Sequence, residues 1–434
     1  MYLVYNILLI IYWIGLIPVI IYRLTFEKGF YERTKQSAGF MPEALMKKIE
    51  GRRAIWLHAA SVGEIVATSP IAKEIKREFP EAVVIVSVVT ATGHDMAERI
   101  IPEADGIIYF PLDLTFLTRR ILRIVKPITI LIVETEIWPN FLHIAQEEKI
   151  PVMMVNGRIS DRSMRRYLFV KGFMKDMLQS IQIFCMQSAG DAKYIKLLGA
   201  PEDRIRVTGN TKYDQTYATV TPTERQELLN EFGFGHNHPI IVAGSTHRGE
   251  EDAIFTAFKE VLKEAPGARL LIAPREIMRG GEVKNLSEGY GLRAICRSVM
   301  KEPVHEEIPV VVLDTIGELG RLYSLGDIIF VGGSLVRTGG HNILEPAAHG
   351  KPIIVGPNMF NFKEIYALLS SRHACLMVQD TKDLTRTILK LCHDKALRQE
   401  MSDNCLRLMA ENKGATKRNL VEVRKLFKAN HIIP

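Results

Sequence analysis

The chain has 434 residues, 47% of them hydrophobic and 24% charged, which excludes a disordered or low-complexity polypeptide. Its length exceeds one ordinary core and suits two domains of roughly 150–200 residues each. A formal charge of +7 and a pI near 9.0 favour an anionic partner: nucleic acid, a nucleotide or an acidic membrane face.

Residues 1–22 are almost wholly apolar, with Asn6 the one strongly polar side chain. That is the length of helix needed to cross a bilayer core of about 30 Å. A secretory signal peptide would carry a basic start, a shorter apolar core and a small-residue cleavage site, and none is present. Tyr2, Tyr5 and Tyr22 suit membrane interfaces, whereas Trp13 falls mid-span. Residues 1–23 therefore read as a transmembrane anchor. Arg23, Lys28, Arg33 and Lys35 follow, then Lys47, Lys48, Arg52 and Arg53, so the positive-inside rule puts the rest of the chain in the cytoplasm. The five cysteines are widely spaced with no C-x-x-C pair, which suggests neither a disulfide framework nor a zinc site.

From residue 54, short β-rich runs alternate with helical patterns. Ala54–His58, Val83–Val89, Gly106–Phe110, Ile128–Val133, Val152–Val155 and Ile181–Met186 are expected as buried strands, with helices over Glu64–Phe79, Thr115–Val125 and Asp191–Leu198. A pause at about Thr208–Pro239 holds one helical stretch, Thr223–Phe232. The rhythm then resumes with strands at Ile240–Ala243, Arg269–Ala273, Val310–Leu313, Ile328–Val331, Ile353–Val355 and Cys375–Val378. Alternation of this kind predicts an α/β chain with two Rossmann-like halves, 24–214 and 215–434, and a ligand cleft at the C-terminal ends of their parallel sheets. The helical patterns after Lys382 either cap the second half or cross back to the first.

Candidate chemistry sits at the strand ends. In His58-Ala-Ala-Ser-Val-Gly-Glu64 a strand gives way to a helix over small residues. Glu64 there either takes a proton from an attacking hydroxyl or merely satisfies its helix's first turn. Glu134 and Glu136 alternate in V-E-T-E-I-W-P-N and would share one side of an extended segment, with Pro139 opening a helix. Lys212, in G-N-T-K-Y-D, is placed to neutralise charge building on a phosphate. In the second half, Gly244-Ser245-Thr246-His247 has a phosphate-cradle arrangement without being a Walker loop. Pro274-Arg275 offers a guanidinium, and Thr315-Ile316-Gly317-Glu318 begins another helix. Gly332-Gly333-Ser334 and Gly339-Gly340-His341-Asn342-Ile343-Leu344-Glu345-Pro346-Ala347 are expected to expose backbone N–H groups to an anion, with Glu345 facing ribose hydroxyls.

Taken in order, H-A-A-S-V-G-E, T-A-T-G (Thr90–Gly93), E-T-E-I-W-P-N, N-G-R-I-S (Asn156–Ser160), T-G-N-T-K-Y-D, A-G-S-T-H and G-G-H-N-I-L-E-P-A resemble the lipopolysaccharide Kdo (3-deoxy-D-manno-octulosonic acid) transferases of the GT-B glycosyltransferase superfamily. The resemblance covers nearly the whole chain. It implies inverting, metal-independent transfer of Kdo from CMP-Kdo to the 6′-hydroxyl of a lipid A precursor (lipid IVA) at the bacterial inner membrane, with no cofactor. By the same resemblance, Glu64 is the proton acceptor, and Glu134 and Lys212 stabilise the transition state. Pro274, Arg275, Ile316, Gly317, Glu318, Asn342, Ile343, Leu344 and Glu345 then hold the CMP moiety. Nucleic acid is not an expected partner, because no recognised binding motif appears. The competing enzyme class is another GT-B protein acting on a UDP-sugar, either a lipid glycosyltransferase or an epimerase.

Overall fold

The computed structural model describes all residues except Lys28, His236, Asn237, His305–Glu307, Ile433 and Pro434. Lys28, one of the expected membrane-side cations, thus lies outside the described residues. Contacts divide the chain into two compact units, residues 1–216 with 412–434, and residues 217–411.

The first unit holds a seven-stranded sheet. Its strands are β1 (Ala54–His58), β2 (Val83–Val88), β3 (Gly106–Tyr109), β4 (Pro127–Val133), β5 (Val152–Gly157), β6 (Ile181–Met186) and β7 (Ile205–Val207). All neighbours pair in parallel, in the order β3-β2-β1-β4-β5-β6-β7. β1 and the Val-rich β2 are buried along their whole length, as a parallel sheet covered on both faces requires. One core lies against Trp56, Ile85 and Ile132, and the other against Leu57, Val86 and Val133. The order reverses direction between β1 and β4, which opens a crevice beyond their C-terminal ends.

The second unit repeats the plan with β8 (Ile240–Thr246), β9 (Arg269–Pro274), β10 (Ala294–Cys296), β11 (Val310–Val312), β12 (Ile328–Val331), β13 (Ile353–Val355) and β14 (Cys375–Met377). Their order is β10-β11-β9-β8-β12-β13-β14, again parallel throughout. Its reversal falls between β8 and β12, so the end of β8 and the Gly332 turn flank that crevice.

Two strands escape the sequence patterns, β7 and β10. Each is a three-residue strand at a sheet edge, with Arg206 inside β7 and Arg293 and Arg297 on either side of β10, so no apolar run marks it. A second difference concerns the C-terminus, since residues 412–434 pack on the first unit rather than belonging to a 215–434 domain. The helix Ala415–Ala429 drives Leu420, Val423, Leu426 and Phe427 into the core beneath β1 and β2. Its first turn is capped by Asp214, which accepts from the backbone N–H groups of Gly414 and Thr416.

Candidate active site

At the end of β1 the chain turns through Ala59–Ser61 into the helix Val62–Glu78. Ser61 is its N-cap, its Oγ accepting from the Glu64 N–H at 3.3 Å. The Glu64 carboxylate reaches back to accept from Ala60 N–H at 2.7 Å and from the Ser61 hydroxyl at 2.8 Å. The capping role read from the sequence is therefore present, and it holds the carboxylate in one orientation. Glu64 is only 8% exposed. Burial first, then the charges of Glu136 and Glu134, push its pKa up to about 7, within reach of neutral pH.

Glu134 and Glu136 engage different partners, although both charges act on Glu64. Glu134 follows β4 in the left-handed region, with φ of 57°, so the segment is not extended and the alternation rule does not apply. Glu134 accepts from Lys212 Nζ at 2.8 Å, and both side chains are largely buried. Glu136 accepts from Trp138 Nε1 at 2.9 Å, with its carboxylate 3.6 Å from His58 Nε2. Burial alone would raise the Glu136 pKa, but His58 and Trp138 outweigh it and hold the carboxyl below its usual range. His58 is fully buried, stacked on Phe110 with ring centroids 3.7 Å apart and with Nδ1 2.9 Å from Ser87 Oγ. His58 opened a sequence motif without a role. Its signal was a histidine ending a wholly apolar strand.

Lys212 comes from a distant loop whose seating is written in the Val62–Glu78 helix. Pro70 lacks an N–H, so the Val66 carbonyl four residues earlier has no helical partner. Gln215 Nε2 donates to that carbonyl at 3.0 Å, and Thr211 Oγ1 donates to Ala67 O at 2.8 Å. From the other side Asn156 Oδ1 accepts from Thr211 N–H at 2.9 Å, and Asn210 Oδ1 accepts from Lys212 N–H at 3.0 Å. The first crevice thus gathers Glu64, Glu134, Glu136, His58 and Lys212.

In the second unit the Gly332–Ser334 turn is not an open anion cradle. Glu250, fully buried, accepts from the N–H groups of Gly333, Ser334 and Leu335 at 2.7–2.9 Å, and from His247 N–H at 3.0 Å. An internal carboxylate has taken the donors that the sequence offered to phosphate. Gly332 is required by packing, because a Cβ there would lie 2.4 Å from Ser245 O. Likewise Gly244-Ser245-Thr246 continues β8 rather than forming a loop.

Other expected residues do converge. Arg275 follows β9, and its charge acts on both His341 and Glu345. Burial, then Arg275 and His247, bring the His341 pKa down to about 4. His341 and His247 stack in parallel with Nε2 atoms 2.8 Å apart. Asn342 Nδ2 donates to Glu345 Oε1 at 3.3 Å, while Asn342 Oδ1 caps Leu344 N–H. Burial raises the Glu345 pKa. Ile343 and Leu344 are core side chains, fully buried, so any ligand contact there is through main chain. Pro274 ends β9. Gly317 has φ of 88° and Ile316 is exposed, while Glu318 is engaged by Arg297, Arg321 and Thr315. Among the described residues His94, Asp95 and Glu98 bring possible metal-ligand atoms within 4.8 Å of one another. That surface group shares no residue with either crevice.

A family model described as 3-deoxy-D-manno-octulosonic-acid transferase (Kdo transferase) matches residues 30–215. The 3-deoxy-D-manno-octulosonic acid transferase of Haemophilus influenzae is 33% identical over 397 residues, 90% of each chain. That of Bordetella pertussis is 31% identical over 376 residues, 84% of this chain and 86% of its own. Among solved structures, UDP-GlcNAc 2-epimerase from Neisseria meningitidis shares the fold at a TM-score of 0.56 and 16% identity, over 86% of this chain and 100% of its own. Two seven-stranded parallel sheets of this kind are the GT-B fold, and with such relatives the chain belongs to the 3-deoxy-D-manno-octulosonic acid transferase family of glycosyltransferases.

Proposed function

We propose that the chain transfers Kdo from CMP-Kdo to a lipid A precursor, lipid IVA, with inversion and without a metal, at the cytoplasmic face of the bacterial inner membrane. The observation that carries this reading is the Glu64 carboxylate, held by its own helix cap and shifted to a pKa of about 7 beside Glu134–Lys212. A sugar hydroxyl is a poor nucleophile, and a positioned base near its working pH contributes about 10²–10⁴-fold. Glu64 takes the proton of the acceptor 6′-hydroxyl as that oxygen bonds to the anomeric carbon of Kdo. The bond from that carbon to the CMP phosphate breaks, and CMP leaves with the electron pair. Lys212, oriented by Glu134, supplies positive charge where negative charge develops. Arg275, Asn342 and Glu345, with the main chain at Pro274, Ile316–Glu318 and Ile343–Leu344, hold the nucleotide. No cofactor enters.

Mass spectrometry of lipid IVA incubated with CMP-Kdo or with a UDP-sugar tests donor and acceptor together. Kdo adducts from CMP-Kdo are expected, and hexose adducts with none of Kdo would overturn the reading in favour of a UDP-sugar enzyme. Glu64→Ala should abolish transfer while calorimetry still registers CMP binding. Near-native turnover by that variant removes Glu64 from the role of base.

A further inference from the structure

The helix Tyr2–Phe26 is long and apolar enough to cross a bilayer, yet its first turns are built into the first unit. Tyr5 Oη donates to Asp113 Oδ2 at 2.8 Å. Asn6 and Asn140 exchange amide hydrogen bonds of 3.1 and 2.8 Å, and Thr115 Oγ1 donates to Asn6 Oδ1 at 3.3 Å. Tyr2 packs its ring on His143 and Phe173 at 4.5 and 5.0 Å. Asp113 is 3% exposed and also caps the helix Pro139–Glu147 through Asn140 and Phe141 N–H.

The chain then returns to the same place. Ser37 O accepts from Leu112 N–H at 3.4 Å, and Gln36 Oε1 accepts from Tyr109 N–H at 3.3 Å. Residues 5–6 and 36–37 therefore attach within one segment, Tyr109–Thr115. A helix of 25 residues is about 37 Å long. If it stood across the membrane, residues 27–37 would have to carry the chain back. Of these, Phe30–Ser37 is an eight-residue helix rising about 12 Å, and three residues remain, reaching at most about 11 Å. Together they fall short of a hydrocarbon core of about 30 Å. They also carry Glu27, Glu32, Arg33 and Lys35, which are costly in hydrocarbon.

We infer that the N-terminal helix does not cross the bilayer but lies within one leaflet, its first turns and the short segment that follows it both held on the Tyr109–Thr115 stretch of the catalytic unit. Its partner is the acyl region of that leaflet, met by exposed Leu3, Ile7, Ile10, Ile14 and Ile17. Beside its first turns is a recess of about 580 Å³ lined by Asn6, Ile10, Phe116, Arg119, Arg120 and Arg123 among others. Apolar side chains and guanidinium groups line it together, the mix met where acyl chain adjoins lipid phosphate, with Arg119 and Arg123 also paired to Glu147 and Glu148. The helix thereby sets the depth of the unit against the membrane.

The inference rests on reading this helix as a membrane element, and the test separates the two claims. The full-length chain is tagged at both termini in sealed inside-out vesicles and digested with protease. Both tags should be removed from the same, outer face. A protected N-terminal tag, released only by detergent, overturns the leaflet placement and leaves the membrane reading intact, whereas a chain that does not sediment with vesicles overturns both. Quenching by dibrominated lipids measures depth independently. In a Trp13→Phe chain with tryptophan placed at Val4, Ile11 or Ile21, similar quenching at a single depth is expected. A shallow–deep–shallow profile sinks the proposal.

Discussion

Glu64 couples a helix cap to a titratable base, and the two roles separate on substitution. Between pH of about 4.5 and 7 the folded chain keeps the Glu64 proton that the unfolded chain releases, so this group lowers stability as pH rises through that window. Glu64→Gln removes the titration. Urea unfolding at pH 5 and pH 8 should show the native chain losing on the order of 1–3 kcal/mol more than the variant across the interval, while transfer falls about 10²-fold or more. Equal losses would mean that Glu64 is not held in a desolvated state. Glu136 is the second lever, because its charge raises the Glu64 pKa and is itself held by His58 and Trp138. With Glu136→Gln, the acidic limb of the kcat/KM profile should move to lower pH, so that at pH 6 the variant works closer to its own plateau. A limb left at about 7 would show that Glu136 does not act on the base.

Among the elements, the turn after β12 depends on one side chain from a different helix. Glu250, at the start of the helix Glu250–Glu264, satisfies three N–H groups of that turn as well as His247 N–H. Glu250→Ala leaves buried donors without partners and should cost about 3–5 kcal/mol. Circular dichroism would follow that loss as a lowered melting temperature, whereas an unchanged one would show that water replaces the carboxylate without cost. This contact marks the limit of what the sequence makes legible. Apolar runs bounded by Gly, Pro and Asp locate twelve of the strands, because burial in a parallel sheet writes itself into consecutive residues. The left-handed turn at Glu134 and the capture of the Gly333–Leu335 donors by Glu250 depend on tertiary neighbours 83 or more residues away in the latter case, and no local spacing encodes them. Glu64, Glu134 and Lys212 were recoverable as separate strand-end motifs. Their union rests on Pro70, whose missing N–H frees the carbonyl that seats the Lys212 loop.

At the scale of the molecule, the chain's three tryptophans separate its two compact units for measurement. Trp13, Trp56 and Trp138 all belong to the first unit, so tryptophan fluorescence follows its unfolding and is silent for the second. The proposed nucleotide residues, Pro274 to Glu345, all belong to residues 217–411. A ligand that binds only the folded state adds RT ln(1 + [L]/Kd), about 2.7 kcal/mol at a hundredfold excess over Kd. Scanning calorimetry with CMP at that excess should therefore raise a transition that the tryptophan signal does not follow, leaving the fluorescence midpoint nearly fixed. Arg275→Ala should abolish the shift while keeping both transitions, since Arg275 contributes charge beside His341 and Glu345 rather than core packing. If CMP instead moves the tryptophan-detected transition, the nucleotide is held chiefly by the first unit. The assignment of CMP to the β8–β12 crevice would then fall, although Glu64 and its neighbours would keep their chemistry.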